Sequence, residues 1–144
     1  TKLHSQLDPG AHSRSGKIRG HEAIEISSHD AAARRIGDGD LVMVRNGRGS
    51  CICGAVVTDE LMPGVVMIST GAWFDPAPDA DGDPSTCRHG NPNALAPDIP
   101  TSPLSQGPAA HSCLVEITRH DAPPVEITAF EPPAFAGPGD GNGG

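Results

Sequence analysis

The sequence is poor in aromatic residues and has no long hydrophobic run. Aromatic residues make up 3% of the 144 positions, and Tyr is absent. No stretch of about 18 apolar residues suggests a membrane-spanning helix, and no charged-then-apolar leader is visible. The chain starts at Thr1 and ends in a Gly-rich run. We therefore expect a soluble piece of a longer polypeptide, without a membrane partner, in the cytoplasm or alternatively in the periplasm.

Positive charge is also scarce. Lys and Arg number 10 against 18 Asp and Glu residues, which gives a formal net charge of −8. Such a chain repels polyphosphate backbones at long range, so nucleic acid is not an expected partner. Any phosphate bound here must be held by backbone amides in Gly-rich turns and by a few placed cations.

Several catalytic and binding signatures are missing. The sequence contains no Gly-x-Ser-x-Gly, no His-Glu-x-x-His, no Walker loop and no complete Gly-x-Gly-x-x-Gly, so hydrolase and Rossmann functions lack support. Asp79, Asp81 and Asp83 imitate the start of a calcium loop, but Pro84 stands where that loop requires Gly. We interpret residues 78–85 as a solvated acidic loop.

Four cysteines are present, and two of them form the sequence Cys51-Ile52-Cys53. On a strand these two side chains would share one face, because side chains alternate. Zinc sites space paired cysteines by two or more residues, and Cys87 and Cys113 have no such partner. Metal ligation and a disulfide remain alternatives, but the pattern favours buried thiols.

The composition predicts a mainly β fold. Gly (18) and Pro (15) are abundant, which favours short strands joined by turns. A helix is expected over residues 29–35, with Ser28 as its N-cap, and Asn46-Gly47-Arg48-Gly49 predicts a hairpin turn with positive-φ positions. The strands are predicted at residues 23–26, 41–44, 51–57, 65–68 and 113–117.

The predicted strands are nearly continuous in Val, Ile, Leu and Met, as in strands covered on both sides within a small barrel. Residues 70–112 have almost no strand signal, and a loop of that length is functional or disordered. We expect residues 1–120 to form the domain and residues 121–144 a Pro/Gly-rich tail, disordered after Gly137.

Three polar clusters are candidates for ligand binding. They are His4-Ser5-Gln6, the segment from Arg88 to Asn93, and the segment from Ser105 to Ser112. Amide side chains carry a donor and an acceptor on one planar group, which suits the edges of a pterin or guanine ring. The alternative is that Asn91 and Asn93 shape loop turns.

Seven histidines invite an acid–base hypothesis. His4, His89 and His111 lie in the polar clusters. A small hydrolase that pairs His89 with Asp75 or Asp83 lacks a nucleophile motif, so we do not favour it. The other four histidines are expected to be exposed polar residues: His12, His21, His29 and His120.

Taken in series, these segments resemble the molybdopterin-dinucleotide-binding domain of the dimethyl sulfoxide reductase family, above all its biotin sulfoxide and trimethylamine N-oxide reductase branch. The Gly-Asn-Pro-Asn and Gln-Gly-Pro elements carry most of the resemblance. The resembling segments are Leu3 to Leu7, Ile36 to Asp40, Asn46 to Gly49, Gly71 to Pro76, His89 to Asn93, Thr101-Ser102 and Gln106 to Glu116.

The resemblance implies a double-psi β-barrel with one short helix and with long loops over the cofactor. The implied cofactor is molybdopterin guanine dinucleotide, bound in pairs around molybdenum, whose protein ligand lies in an earlier domain. In the family a hydrophobic strand precedes the His-Ser-Gln segment, so a barrel strand is expected to be missing here. The implied cofactor-binding residues are His4, Ser5, Gln6, Gly71, Trp73, His89, Gly90, Asn91, Asn93 and Gln106.

The expected function is therefore cofactor binding as the C-terminal domain of a molybdenum oxidoreductase that reduces S-oxides or N-oxides. The partners would be the other domains of that enzyme, and the cofactor would perform the chemistry. We expect neither a catalytic residue nor a metal ligand in this chain. The alternative is a stand-alone double-psi-barrel binding or interaction module without catalysis.

Overall fold

A computed structural model describes residues 5–77, 86–107, 109, 113–123 and 125–132. The predictions for His4, His111, the acidic loop at 78–85 and the tail after Gly137 lie outside these residues. The described part is mainly sheet with few helices, as predicted. Its helices are α1 (Ala11–Ser15) and α2 (Ser28–Ala33). Its strands are β1 (Ala23–Ser27), β2 (Leu41–Arg45), β3 (Ser50–Thr58), β4 (Val66–Ile68), β5 (Pro76–Ala77), β6 (Thr86–Cys87) and β7 (Glu116–Arg119).

The described strands form one mixed sheet in the order β4-β1-β3-β2-β7. The nine-residue strand β3 organises it, since β2 lies on one side and both β1 and β6 on the other. β3 runs parallel to β1 and β6, whereas the remaining pairs, including β5 with β6, are antiparallel. Within the described residues this sheet is open and does not close into a barrel.

The core lies along β1, β2 and β3. Five consecutive residues of β3, from Cys51 to Ala55, are buried, which agrees with the prediction of a strand covered on both sides. Ile24 and Ile26 of β1 and Val42 and Val44 of β2 pack into the same cluster. Burial of such side chains stabilises the fold by about 1.5–3 kcal/mol each.

The helix after β1 is confirmed, but its cap is one residue earlier than predicted. Ser27, not Ser28, has extended backbone angles and accepts a hydrogen bond from the Asp30 N–H. Hydrogen bonds from Gly64 N–H, Ser27 and Arg34 to the Asp30 carboxylate lower the pKa of that group. These hydrogen bonds cap the N-terminus of α2.

The hairpin at residues 46–49 is confirmed, but its predicted positive-φ backbone is absent. The Asn46 carboxamide oxygen accepts a hydrogen bond from the Arg48 N–H at 2.9 Å, and the Asn46 N–H donates to Gly49 at 3.0 Å. The Asn side chain therefore turns the chain without left-handed residues.

Several other elements differ from the prediction, among them the two-residue strands β5 and β6, which lie in the stretch of residues 70–112 that has almost no strand signal. α1 lies in a segment in which no periodicity was found, and residues 113–115 precede the last strand, which begins at Glu116. No helix in the described ranges is long and apolar enough to cross a membrane.

Candidate functional site

A buried charge cluster joins the N-terminal segment to the start of β1. Lys17 Nζ lies 2.8 Å from Asp8 Oδ1 and 2.8 Å from Glu22 Oε2. The Lys17 side chain is 3% exposed and that of Asp8 is fully buried. The Glu22 N–H also donates a hydrogen bond to the His89 carbonyl at 3.1 Å, which links the cluster to His89 through the backbone. The cluster thus supports the loop that carries His89.

His89 and Trp73 are held against this cluster. His89 Nδ1 lies 3.0 Å from the Trp73 carbonyl oxygen and 3.6 Å from Asp8 Oδ2. The Trp73 N–H donates to Asp8 Oδ2 at 3.0 Å, and the Trp73 indole N–H donates to the Ser5 carbonyl at 2.6 Å. The predicted site residues Ser5, Trp73 and His89 are therefore brought together.

The protonation state of His89 follows from this environment. Burial lowers the pKa of His89, and the nearby Lys17 charge lowers it further. A carbonyl oxygen only accepts, so Nδ1 of the neutral ring carries the hydrogen. Nε2 is then an acceptor, and it is buried without a hydrogen-bond partner among the described residues.

Asn91 and Asn93 line an open cleft of about 340 Å³ together with Arg48, Phe74 and Ala94. We call this the amide cleft. Asn91 is buried and caps the 3₁₀ helix Pro92–Ala94, since its carboxamide oxygen accepts the Asn93 N–H at 2.8 Å. Asn93 is exposed. One amide thus shapes the turn while the other lies on the cleft surface.

A model of the Molydopterin dinucleotide binding domain matches residues 1–114. The chain belongs to this family. The family resemblance read from the sequence is thereby confirmed.

The relatives of the domain are much longer enzymes. The domain is 46% identical over 134 residues to trimethylamine-N-oxide reductase of Salmonella typhimurium, covering 92% of this chain and 16% of the relative. It is 44% identical over 119 residues to biotin sulfoxide reductase of Cereibacter sphaeroides, covering 83% and 16%. A dimethyl sulfoxide/trimethylamine N-oxide reductase of Rhodobacter capsulatus is 39% identical over 135 residues, covering 94% and 16%. The chain therefore spans about 16% of the length of these relatives.

The two glycines among the predicted cofactor-binding residues of the molydopterin dinucleotide binding domain both have left-handed backbone. Gly71, before Trp73, has φ +105°, and Gly90, between His89 and Asn91, has φ +85°. A Cβ at Gly90 would lie 2.7 Å from Glu22 Cβ and 3.2 Å from Cys53 Sγ. Position 90 therefore requires Gly for both its conformation and its space.

The remaining predicted residues lie further apart. Gln6 is exposed within the 3₁₀ helix Ser5–Leu7. Gln106 is exposed with φ +53°, and it donates hydrogen bonds to Ser102 and Pro103 in its own turn. These contacts hold Gln106 in the turn at residues 101–107 and do not join it to the amide cleft.

The thiols of the domain support the site loops. Cys51, Cys53 and Cys87 are free and buried, as the sequence favoured, and Cys113 is half-buried. Cys51 Sγ lies 3.7 Å from Cys53 Sγ, and this hydrogen bond, followed by burial, raises the pKa of Cys53. Cys87 Sγ accepts the Asn91 N–H at 3.4 Å and the Asp75 N–H at 3.5 Å.

Two of the four histidines that were expected to be exposed, His21 and His120, are not. His21 was expected to be exposed, but it is 1% exposed, with Nδ1 on the Arg88 carbonyl, and burial lowers its pKa. His12 and His29 are exposed as predicted, and His120 is half-buried. His21 lies two residues before β1 and forms an isolated antiparallel bridge with Ile18.

No catalytic His–Asp pair forms with Asp75. His89 binds the Trp73 carbonyl, whereas Asp75 accepts hydrogen bonds from Thr128. Asp83, the other candidate of the hydrolase hypothesis, lies outside the described residues.

Sequence reasoning missed Asp8, Lys17 and Glu22. Their residue types are common on surfaces, and their spacing of 9 and 5 positions matches no motif. Only the fold brings them together.

Proposed function

We propose that this chain holds molybdopterin guanine dinucleotide, with molybdenum, as the C-terminal domain of an oxidoreductase that reduces S-oxides or N-oxides. The family match supports cofactor binding. The names of the relatives, which are trimethylamine-N-oxide, dimethyl sulfoxide and biotin sulfoxide reductases, support the reaction class. The remaining domains of the parent enzyme would be the partners of this chain.

The observation that carries the proposal is the composition of the amide cleft. In a chain of net charge −8, this cleft combines the Arg48 guanidinium with two amides and the Phe74 ring. A guanidinium suits a pyrophosphate, amides suit the edges of a heterocycle, and an aromatic face suits its plane. The residues present therefore fit a pterin dinucleotide.

Each side chain has a limited role in this proposal. Asn93 offers a donor and an acceptor, whereas the Asn91 oxygen already accepts one hydrogen bond in the turn, which leaves its NH2 group and one oxygen lone pair. His89 offers Nε2 as a buried acceptor. When bound, the cofactor would supply the oxygen-atom transfer, and this chain would bind and orient it.

We also propose that the sheet closes into a double-psi barrel in the parent enzyme. The outer strand β4 and residues 113–115, which lead into β7, line the same cleft of about 240 Å³. Val66, Ile68 and Val115 give this cleft apolar walls. Hydrogen exchange tests the closure, since β4 amides should be protected in the parent enzyme and should exchange faster in this chain alone.

The test of the proposed function compares amides within the parent enzyme. Asn93→Ala should lower molybdenum and guanine nucleotide content, while the melting temperature of this chain stays close to that of the wild type. Each lost hydrogen bond removes about 0.5–1.5 kcal/mol from binding. Asn91→Ala should lower both cofactor content and the melting temperature, because Asn91 caps the 3₁₀ helix.

Two controls make this test specific. Glu60→Ala changes an exposed residue and should alter neither quantity. Ser27→Ala removes the N-cap of α2, a helix of which no residue lines the amide cleft, so it should lower the melting temperature and spare the cofactor. Full molybdenum occupancy in Asn93→Ala would show that the amide cleft is not part of the cofactor site.

The second candidate is a stand-alone binding module without catalysis. The coding region upstream of Thr1 distinguishes this module from a domain of a longer oxidoreductase. A long oxidoreductase reading frame supports the proposal, whereas a nearby start codon supports the module.

A further inference from the structure

Residues 125–130 lie across the loops that carry Trp73 and His89, and we call them the C-terminal clasp. The sequence placed them in the tail, and the family match ends at residue 114. Their main anchor is Asp75, which is 3% exposed. The Thr128 N–H donates to Asp75 Oδ2 at 2.7 Å, and the Thr128 hydroxyl donates to Asp75 Oδ1 at 2.7 Å.

Arg88 provides a second anchor. Its guanidinium donates to the Pro76 carbonyl at 2.7 Å and to the Glu126 carbonyl at 3.2 Å, and its Nε lies 3.7 Å from Asp75 Oδ1. The Arg88 N–H also donates to the Asp75 carbonyl at 2.8 Å. Arg88, the neighbour of His89, thus binds the clasp to the strand that follows Trp73.

Phe130, the last residue of the clasp, packs against two of the predicted site residues. Its ring centroid lies 5.0 Å from that of His89, in an edge-on arrangement at 89°. It lies 5.4 Å from that of Trp73, at 60°. The Arg14 guanidinium covers the Phe130 ring at 4.8 Å. Such aromatic contacts favour defined orientations of both rings.

We propose that the clasp completes the candidate site, and that Thr128 and Phe130 are positioning residues that hold Trp73 and His89 in their observed orientations. These residues act through Asp75, Trp73 and His89. Thr128 donates two hydrogen bonds to the buried Asp75 carboxylate, and the Phe130 ring packs against both Trp73 and His89. A solvated tail would make no such contacts. The part of this proposal that concerns the cofactor rests on the proposed function.

The chain contains one Trp, so the fluorescence of Trp73 reports on the clasp directly. In the 144-residue chain, Phe130→Ala and Thr128→Val should shift the Trp73 emission to longer wavelength and increase its quenching by acrylamide. Phe130→Tyr retains the ring and should restore the wild-type spectrum. Thr128→Val loses only the hydroxyl donor and therefore serves if Phe130→Ala fails to fold.

Glu126→Ala is the matched control, because this residue is exposed and Arg88 binds its carbonyl rather than its side chain. Its spectrum should equal that of the wild type. Unchanged emission in both Thr128→Val and a folded Phe130→Ala would overturn the proposal. A shift of equal size in Glu126→Ala would also overturn it, since general loosening of the segment would then explain the result.

The parent enzyme tests the consequence for the site. Phe130→Ala should lower molybdenum content, and Phe130→Tyr should restore it. Loss of molybdenum in Asn93→Ala, together with an unchanged content in Phe130→Ala, would overturn the role of the clasp in binding while leaving the proposed function intact. If both variants keep their metal, the proposed site fails, and the fluorescence of Trp73 still decides whether the clasp exists.

Discussion

Lys17 Nζ lies 2.8 Å from Asp8 Oδ1, and neither side chain is more than 3% exposed. A buried ion pair contributes little net stability, but removal of one partner leaves the other charge in a poorly solvated place. In this cluster, the loss of Lys17 would affect both Asp8 and Glu22.

Lys17→Met should therefore lower the free energy of unfolding by about 3–5 kcal/mol. Arg45→Met is the matched control, since Arg45 pairs with Glu116 at 2.8 Å but both side chains are more than half exposed. Its cost should be about 1 kcal/mol or less. Urea unfolding of the two variants measures both values, and equal losses would contradict the importance of the buried cluster.

Stability should depend on pH through His21 and His89. Burial is the main cause that lowers both pKa values, so the folded chain resists protonation more than the unfolded chain does. This stability is present above the unfolded pKa of about 6.5 and is lost as pH falls from there to the lowered folded values. Each histidine contributes at most about 1.4 kcal/mol per pH unit.

Urea unfolding between about pH 7.5 and 5 checks this sign. His29→Gln changes an exposed histidine and should reproduce the wild-type curve. NMR titration of the imidazole protons provides an independent measurement of both buried rings. Stability that rises as the pH falls below about 6.5 would show that these rings are charged in the fold.

Gly90→Ala should destabilise the domain by about 2–4 kcal/mol, because it adds left-handed strain to an overlap with Glu22. Gly47→Ala is the control, since nothing lies within 4 Å of its added Cβ and its φ is not positive. Its effect should stay within about 0.5 kcal/mol. Thermal unfolding of both variants decides, and a neutral Gly90→Ala would show that the loop can move away from β1.

Thiol labelling should separate the cysteines. In the native chain, iodoacetamide should modify Cys113 first, because the thiolate is the reacting form and the other three thiols are buried. In denaturant all four should react. Mass spectrometry counts the labels, and Cys113→Ser should remove the fast phase. A second fast thiol in the native chain would contradict the buried cluster.

The sequence predicted those parts of the fold in which local pattern and tertiary environment agree. The continuous apolar runs became β1 to β4, and three of these strands, β1, β2 and β3, lie between neighbouring strands, whereas β4 is an edge strand. The strand at 113–117 was misplaced by a few residues, since the pairing of β7 with β2 begins at Glu116. Its first residues are as apolar as those of a strand, but they face the cleft beside β4.

The residues of the candidate site stay a prediction from the sequence, and the structure adds the contacts between them. Trp73, His89 and Asn93 lie in segments whose motifs resemble the family, so they could be named as candidates from the sequence. That Asn91 caps the turn while Asn93 lies exposed on the cleft could be seen only from the turn geometry. The link from His89 to Phe130 spans 41 positions, and no local pattern encodes a contact at that separation.

The position of the clasp in the chain also orders the events of biosynthesis. A ribosome adds about 5–20 residues per second, so Phe130 is made roughly 2–8 seconds after His89. During that interval β1, β2 and β3 can pair, while Trp73 and His89 have no ring to pack against. A ligand that arrives on the nascent chain would meet an unfinished surface. Under the proposed role of the clasp, cofactor loading is expected only after synthesis has passed Phe130.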